Sequence, residues 1–226
     1  VLALGGRNVR VIPNGIDTDT YSTDARPFSP QALAELGITG RYVLYAGTAS
    51  EWQGALIFAE AMNLVAETSP DLQLVYIGQG TEWETIGVEA RKLREKSGRD
   101  VVLQLPPAEP GMIARLLAGA EAALVSIVPG QGYDFAYPTK VLSGLAAGRR
   151  VLFAGVGPAA EDLAREGLGD VSNYQVEDVA RVLRDIPAHD AGEASLRRAW
   201  VESGRSLKKT GREAARFILH VAERGE

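Results

Sequence analysis

The stretch YPTKVLSGLAAGRRVLFAG, residues 137–155, decides how this chain folds. It opens on a proline that suits the first turn of a helix, where a missing N–H costs nothing. Small and apolar residues follow at helical spacing, then Gly148 and the strand-like Arg150, Val151, Leu152 and Phe153. A helix of Ser143, Gly144, Ala146 and Ala147 can lie close against a sheet or a ligand. Lys140 stands alone in the first turn of that otherwise apolar helix. Helix N-termini expose unpaired N–H groups and carry partial positive charge, so they attract phosphate. A lysine there is either a solvated first-turn residue or the full charge of an anion site.

Outward from this stretch the pattern alternates. Strands are predicted over 42–45, 72–77, 101–105, 122–127 and 150–153, with a sixth over 171–175. Helices are predicted over 54–67, 81–96, 111–118, 138–147, 159–166 and 177–184. The tail over 194–223 reads as helical, interrupted at Gly204 and Gly211. Strands separated by helices of this length imply an α/β fold, a doubly wound parallel sheet of Rossmann-like type with helices on both faces. Ligands of such sheets bind beyond the carboxyl ends of the strands, which directs attention to loops 47–54, 78–83, 105–112, 128–140 and 154–161.

The chain has 226 residues, 46% of them hydrophobic, enough for one large domain with a full core. The net charge of -5, without a basic block, argues against nucleic acid as a partner. There is no cysteine, and His189 and His220 lie far apart, so neither a thiolate or histidine metal site nor a catalytic triad is expected. No apolar run approaches the ~18 residues of a membrane span, and VLALGGRNVR, residues 1–10, has neither the charge order nor the length of a signal peptide. That opening reads like the middle of a longer protein, and the expected location is cytoplasmic.

Three further motifs carry alternatives. In AGVGPAAEDL, residues 154–163, Gly155, Gly157 and Ala160 match the dinucleotide fingerprint G-x-G-x-x-A between a strand and a helix. The same pattern also describes an ordinary strand-to-helix turn. In YAGTASEWQGA, residues 45–55, Thr48 and Ser50 can donate hydrogen bonds to an anion near Gly47, while Trp52 is expected to pack on the domain. In RVIPNGIDTDTYS, residues 10–22, Val9, Val11 and Ile12 suggest an edge strand and Pro13-Asn14-Gly15 a turn. Asp17 and Asp19 are read as turn caps rather than a catalytic pair.

Taken in order, these segments resemble the C-terminal domain of glycosyltransferase family 4, the C-terminal half of a GT-B fold. RVIPNGIDTDTYS resembles the family's junction motif. YVLYAGTASEWQGALIFAEAM resembles its first strand, phosphate loop and following helix. LQLVYIGQG resembles the second strand, and YPTKVLSGLAAGRRVLFAG the P-S-K segment, helix and G-R-P-V strand. The resemblance implies a nucleotide-sugar donor as substrate, no cofactor and no metal, and sugar transfer with retention of configuration. It also implies an N-terminal acceptor-binding domain as partner, through which a peripheral membrane acceptor is conceivable. The implied division is a junction strand and turn over 1–22, a donor-binding domain over 23–190, and a C-terminal helical segment over 191–226.

The implied catalytic residue is Lys140, acting on the diphosphate. Donor contacts are expected from Gly47, Thr48, Ser50, Leu105, Pro106, Lys140, Ser143, Gly157 and Glu161, with Leu105 and Pro106 lining the base pocket. Several positions depart from the family pattern. Thr48 stands where an arginine is common, Gln53 where a lysine is common, and Ser143 and Phe135 where glutamates are common. Two other readings stay open. One is a non-catalytic module that has lost its donor contacts. The other is a nicotinamide-dependent oxidoreductase domain built on Gly155 and Gly157, with Glu177 or Asp178 as the ribose acid.

Overall fold

A computed structural model describes residues 8–187 and 192–224. The strands are β1 (Arg41–Thr48), β2 (Leu72–Gln79), β3 (Val102–Leu105), β4 (Ala122–Ser126), β5 (Arg150–Ala154) and β6 (Gly169–Ser172). They form one parallel sheet of order β3-β2-β1-β4-β5-β6. The order reverses between β1 and β4, so a crevice opens at their carboxyl ends. β2 and β4 bury nearly all of their residues and β1 its middle four, as expected of a sheet covered on both faces.

The helices are α1 (Pro30–Glu35), α2 (Leu56–Val65), α3 (Trp83–Ser97), α4 (Pro110–Gly119), α5 (Thr139–Ala146), α6 (Pro158–Glu166), α7 (Val176–Asp185), α8 (Ala194–Gly204) and α9 (Leu207–Arg224). One face of the sheet packs on α2, α3 and α7 through Phe58, Met62, Ile86 and Leu183. The other packs on α4, α5, α6 and α8 through Leu117, Val141, Leu145, Leu163 and Val201. The small residues of α5 have the expected use. A Cβ on Gly144 would come within 2.7 Å of the Ala123 Cβ and 3.2 Å of Val151, so only glycine lets this helix approach β4 and β5 so closely.

The structure corrects four expectations. Residues 9–12 form no strand, and Val11 is 89% exposed. The sheet edges are β3 and β6 and the segment pairs with neither; its neighbour Ile16 makes a single bridge to Ser206. The sixth strand lies at 169–172 rather than 171–175. It begins on Gly169 because a side chain there would overlap the Val151 carbonyl, and it ends where the Gln175 amide turns back on the Asn173 carbonyl. Gly204 does end a helix, but α9 runs through Gly211, where an added Cβ would meet only open space. Helix α1 was not expected, although its signals are local: Ser29 accepts from the Ala32 amide at 3.2 Å and Pro30 fills the first turn. Asp17 does cap its turn, accepting from the Asp19 amide and the Thr20 hydroxyl. The expected boundary at residues 190–191 and His189 lie outside the described residues.

Candidate functional site

The crevice is built from the ends of β1 and β2, the turn 49–55 and the start of α5. At its centre the half-buried Lys140 reaches from the first turn of α5 toward β1. Its side chain passes over Gly47, where a Cβ would lie 3.0 Å from the lysine Cε. The Gly47 backbone has φ +119°, which glycine adopts without strain. The ammonium sits 5.1 Å from the centre of the Tyr45 ring, within cation–π range. Burial lowers the Lys140 pKa to about 8. Among the described residues no carboxylate forms an ion pair with it. The Pro138 position that begins α5 supplies no side-chain cap, so the first N–H groups of the helix face the same crevice uncapped.

The turn after β1 closes around this lysine. Gln53 is 7% exposed, and its side-chain amide lies beside Lys140, Ser50 and the Thr48 carbonyl. An ammonium can only donate, so the amide oxygen faces it, accepting from Nζ at 2.7 Å. The amide nitrogen then donates to Ser50 Oγ at 3.0 Å and to the Thr48 carbonyl. The Tyr45 hydroxyl also donates to that carbonyl, at 2.9 Å. Burial pushes the Tyr45 phenol far above its ordinary range, so it remains a neutral donor.

The N-terminus of α2, a phosphate cradle by resemblance, already faces an anion. Glu82 Oε2 accepts from the Leu56 amide at 3.4 Å. Burial raises the Glu82 carboxyl while this bond opposes the shift. The turn and α2 are pinned from below by Gly78 and Gly80, whose missing side chains leave room for the Gly47 and Ala49 carbonyls.

Of the residues singled out in the sequence, Gly47, Thr48, Ser50 and Lys140 come together here. Thr48 is exposed at the end of β1, whereas the Ser50 hydroxyl faces Gln53. Ser143 lies one turn along α5 and donates to the Lys140 carbonyl at 3.0 Å. Leu105 and Pro106 do not line the small cavity beyond β1 and β2. Leu105 packs into the core and Pro106 is exposed. The cavity, of about 170 Å³, is lined instead by Pro107, Ala108 and Ile113 with Gly47, Thr48 and Gly78. The residues that line it thus fall two positions later than expected.

Gly157 and Glu161 stand apart, in a second hollow at the start of α6 with Gly155, Asn173 and Arg181. The Gly155 and Gly157 positions of the fingerprint are filled from within. A Cβ on Gly155 would overlap the Ile127 carbonyl, and one on Gly157 the Asp134 carbonyl of loop 128–138. Of the two acids expected for a dinucleotide ribose, Asp178 is taken up by Asn173 at 2.7 Å and by Arg181, while Glu177 is exposed in the first turn of α7. These two glycines let the chain pack on itself, as an ordinary strand-to-helix turn does.

Sequence reasoning did not find Gln53 as the partner of Lys140, nor Glu82 on α2. Glu82 is 26 residues from Leu56, and no local pattern announces that pairing. Trp52, expected to pack on the domain, stacks on Tyr133 with ring centres 4.7 Å apart and so anchors loop 128–138 over the turn. No group of His, Asp or Glu suited to a metal occurs among the described residues, and none of their helices is long and apolar enough to cross a membrane.

A family model described as glycosyl transferases group 1 matches residues 40–186. No curated protein sequence matches significantly. Among solved structures, the chain resembles HepE of Anabaena in complex with UDP and glucose, with a TM-score of 0.72 and 19% identity over 96% of this chain and 59% of that one. A glycosyltransferase of Rickettsia africae gives a TM-score of 0.75 at 16% identity, over 94% of this chain and 57% of the other. The C-terminal domain of the group 1 protein LpcC from Francisella tularensis gives 0.61 at 17% identity, over 84% of this chain and 94% of that domain. At these identities the likeness shows the fold. The chain therefore spans little more than half the length of the first two.

Proposed function

The chain belongs to the family of group 1 glycosyl transferases, and from that premise we propose that it is the donor-binding half of a retaining enzyme, holding a nucleotide-sugar by its diphosphate. The observation that carries this reading is Lys140: a half-buried ammonium at an uncapped helix N-terminus, in the crevice where the strand order reverses, with no ion-pair partner among the described residues. A buried cation without an anion is costly, and a diphosphate supplies one.

In this reading the first N–H groups of α5 and the Lys140 ammonium hold the phosphates. Thr48 and Ser50 add hydroxyl donors, and Gly47 leaves room for the lysine. Ser143 contacts the ribose, and the cavity beside Pro107 and Ala108 takes one face of the base. Gly157 and Glu161, in the separate hollow at the start of α6, are given no contact with the diphosphate. As the bond between anomeric carbon and diphosphate oxygen breaks, negative charge grows on the leaving phosphate. Lys140 stabilises that charge more than it stabilises the intact donor, which lowers the barrier. The acceptor is held by an N-terminal domain, corresponding to the part of HepE and the Rickettsia enzyme that this chain does not span. No cofactor or metal is needed, any contact with a membrane acceptor runs through that domain, and the enzyme works in the cytoplasm.

The test is calorimetric titration of the 226-residue chain with UDP, GDP and ADP and with their nucleosides. One diphosphate should bind at least about tenfold more tightly than its nucleoside, the size of one charge-assisted contact. Equal affinities for all six would exclude a donor site. The loss of the family's usual cations at Thr48 and Gln53 favours a second reading, a binding module without transfer. Absence of binding by any of the three diphosphates would support it.

A further inference from the structure

We propose that Gln53 is a positioning residue for Lys140, holding the ammonium over the Tyr45 ring with a neutral acceptor so that its charge stays uncancelled for a donor diphosphate. The proposal rests on the donor-site reading above and adds a residue that the family pattern does not provide.

The geometry leaves little freedom at this position. Gln53 is 7% exposed and its own amide N–H is fixed by the Ser50 carbonyl at 2.9 Å. Each polar atom of its side chain has a partner: Lys140 Nζ at 2.7 Å, Ser50 Oγ at 3.0 Å and the Thr48 carbonyl. Those partners come from both sides of the crevice, so one side chain ties the β1 turn to the first turn of α5. The other group facing the ammonium is the Tyr45 ring, an uncharged surface. Two carboxylates belong to this region: Glu51, within the turn, is exposed, and Glu82 is engaged at the start of α2; neither pairs with Lys140.

Chemistry explains why an amide suits the place. A lysine at 53 would set a second ammonium against Lys140, and two like charges in contact disfavour each other's ionisation. A glutamate would form an ion pair and cancel the positive charge the diphosphate needs. An apolar residue would leave a buried ammonium without any acceptor. A neutral carbonyl oxygen orients the ammonium and leaves its net charge intact. Gln53 thus compensates by pre-organisation for a cation that the loop lacks.

Two variants of the 226-residue chain, Gln53→Glu and Gln53→Leu, test this. Lysine labelled with ¹³C at Cε, with the Lys140 signal assigned by its loss in Lys140→Arg, reports titration without any nucleotide. The midpoint should start near 8. It should rise by at least about one pH unit in Gln53→Glu and fall in Gln53→Leu, because the first gains an anion and the second loses an acceptor. In parallel, the tightest of UDP, GDP and ADP should bind about tenfold more weakly to Gln53→Glu. Its nucleoside should change less than about twofold, as the base does not meet this group. An unmoved Lys140 titration in both variants overturns the assignment of Gln53 alone. So does an equal loss for nucleotide and nucleoside, which would mark a structural role. Wild-type binding of every diphosphate no tighter than its nucleoside overturns the donor reading and this proposal with it.

Discussion

Two turns of this molecule share a sequence signature and put it to different uses. After β1 the chain runs through Gly47 into a polar turn and α2; after β5 it runs through Gly155 and Gly157 into α6. Both use glycine at positive φ, +119° at Gly47 and +111° at Gly157. At Gly47 the space where a Cβ would stand is occupied by the flexible end of Lys140, so the glycine shapes a cation site. At Gly157 the same space is occupied by the Asp134 main-chain carbonyl, so the glycine lets a loop close. A glycine-rich strand-to-helix turn therefore says that something approaches the backbone closely. Whether the visitor is a side chain, a ligand or the chain itself depends on which loop folds over it.

The sharpest way to break this comparison is Gly157→Ala. A backbone carbonyl cannot move aside cheaply, and alanine is strained at this φ. The two costs together are about 2–5 kcal/mol, from the ranges for left-handed strain and overpacking. In a chain of this size that lowers the melting temperature by roughly 4–20 °C. Thermal and urea unfolding should show the loss. A variant as stable as the wild type would mean that loop 128–138 does not rest on Gly157.

Next is Lys140→Ala. Nucleoside diphosphate binding should weaken by about 1.5–3 kcal/mol, the range for a hydrogen bond to a charged group, with little change for the nucleoside. Calorimetry of both ligands decides it. Equal losses would place Lys140 in the architecture rather than at the phosphates.

The pH dependence sharpens the same point. Burial lowers the Lys140 pKa to about 8, so its charge is present below that pH and lost above it. From about pH 7, where the diphosphate is fully ionised, affinity should be flat to about pH 8 and then fall by up to about tenfold per unit as the free lysine loses its proton. For stability the sign is opposite. A lysine whose pKa is lowered in the fold costs stability while protonated, so this group's contribution improves from about pH 8 toward 10.5, its ordinary value. A flat affinity profile from pH 7 to 10 would contradict the role given to Lys140.

The smallest effect is expected at Gly47→Ala. The Cβ would meet Lys140 Cε at 3.0 Å, and a lysine side chain can yield. Backbone strain of about 1–2 kcal/mol remains. The melting temperature should drop less than for Gly157→Ala, while diphosphate affinity falls because the ammonium is displaced. A larger stability loss here than at Gly157 would invert the contrast drawn between the two turns.

Much of this was legible in the sequence, for reasons that are local. Apolar runs such as Leu74 to Ile77 and the periodic apolar faces of α2 and α5 point to a buried parallel sheet with helices on both sides. A proline before Lys140 sets the lysine in the first turn of α5, and the order of the glycine-bearing segments brings the family to mind. These features depend on neighbours within a few residues, and backbone sterics and amphipathic spacing act over that range. Tertiary structure alone decided the rest. It set Gln53 against Lys140, 87 positions apart in the chain, and turned Glu82 onto α2. It moved the cavity lining from Leu105 and Pro106 to Pro107 and Ala108, and it left residues 9–12 outside the sheet. It also filled the fingerprint of Gly155 and Gly157 with the chain's own carbonyls. A local pattern fixes which atoms a turn can offer, but what they touch is settled only when distant strands and loops pack, because burial and hydrogen bonding are satisfied over the whole fold at once.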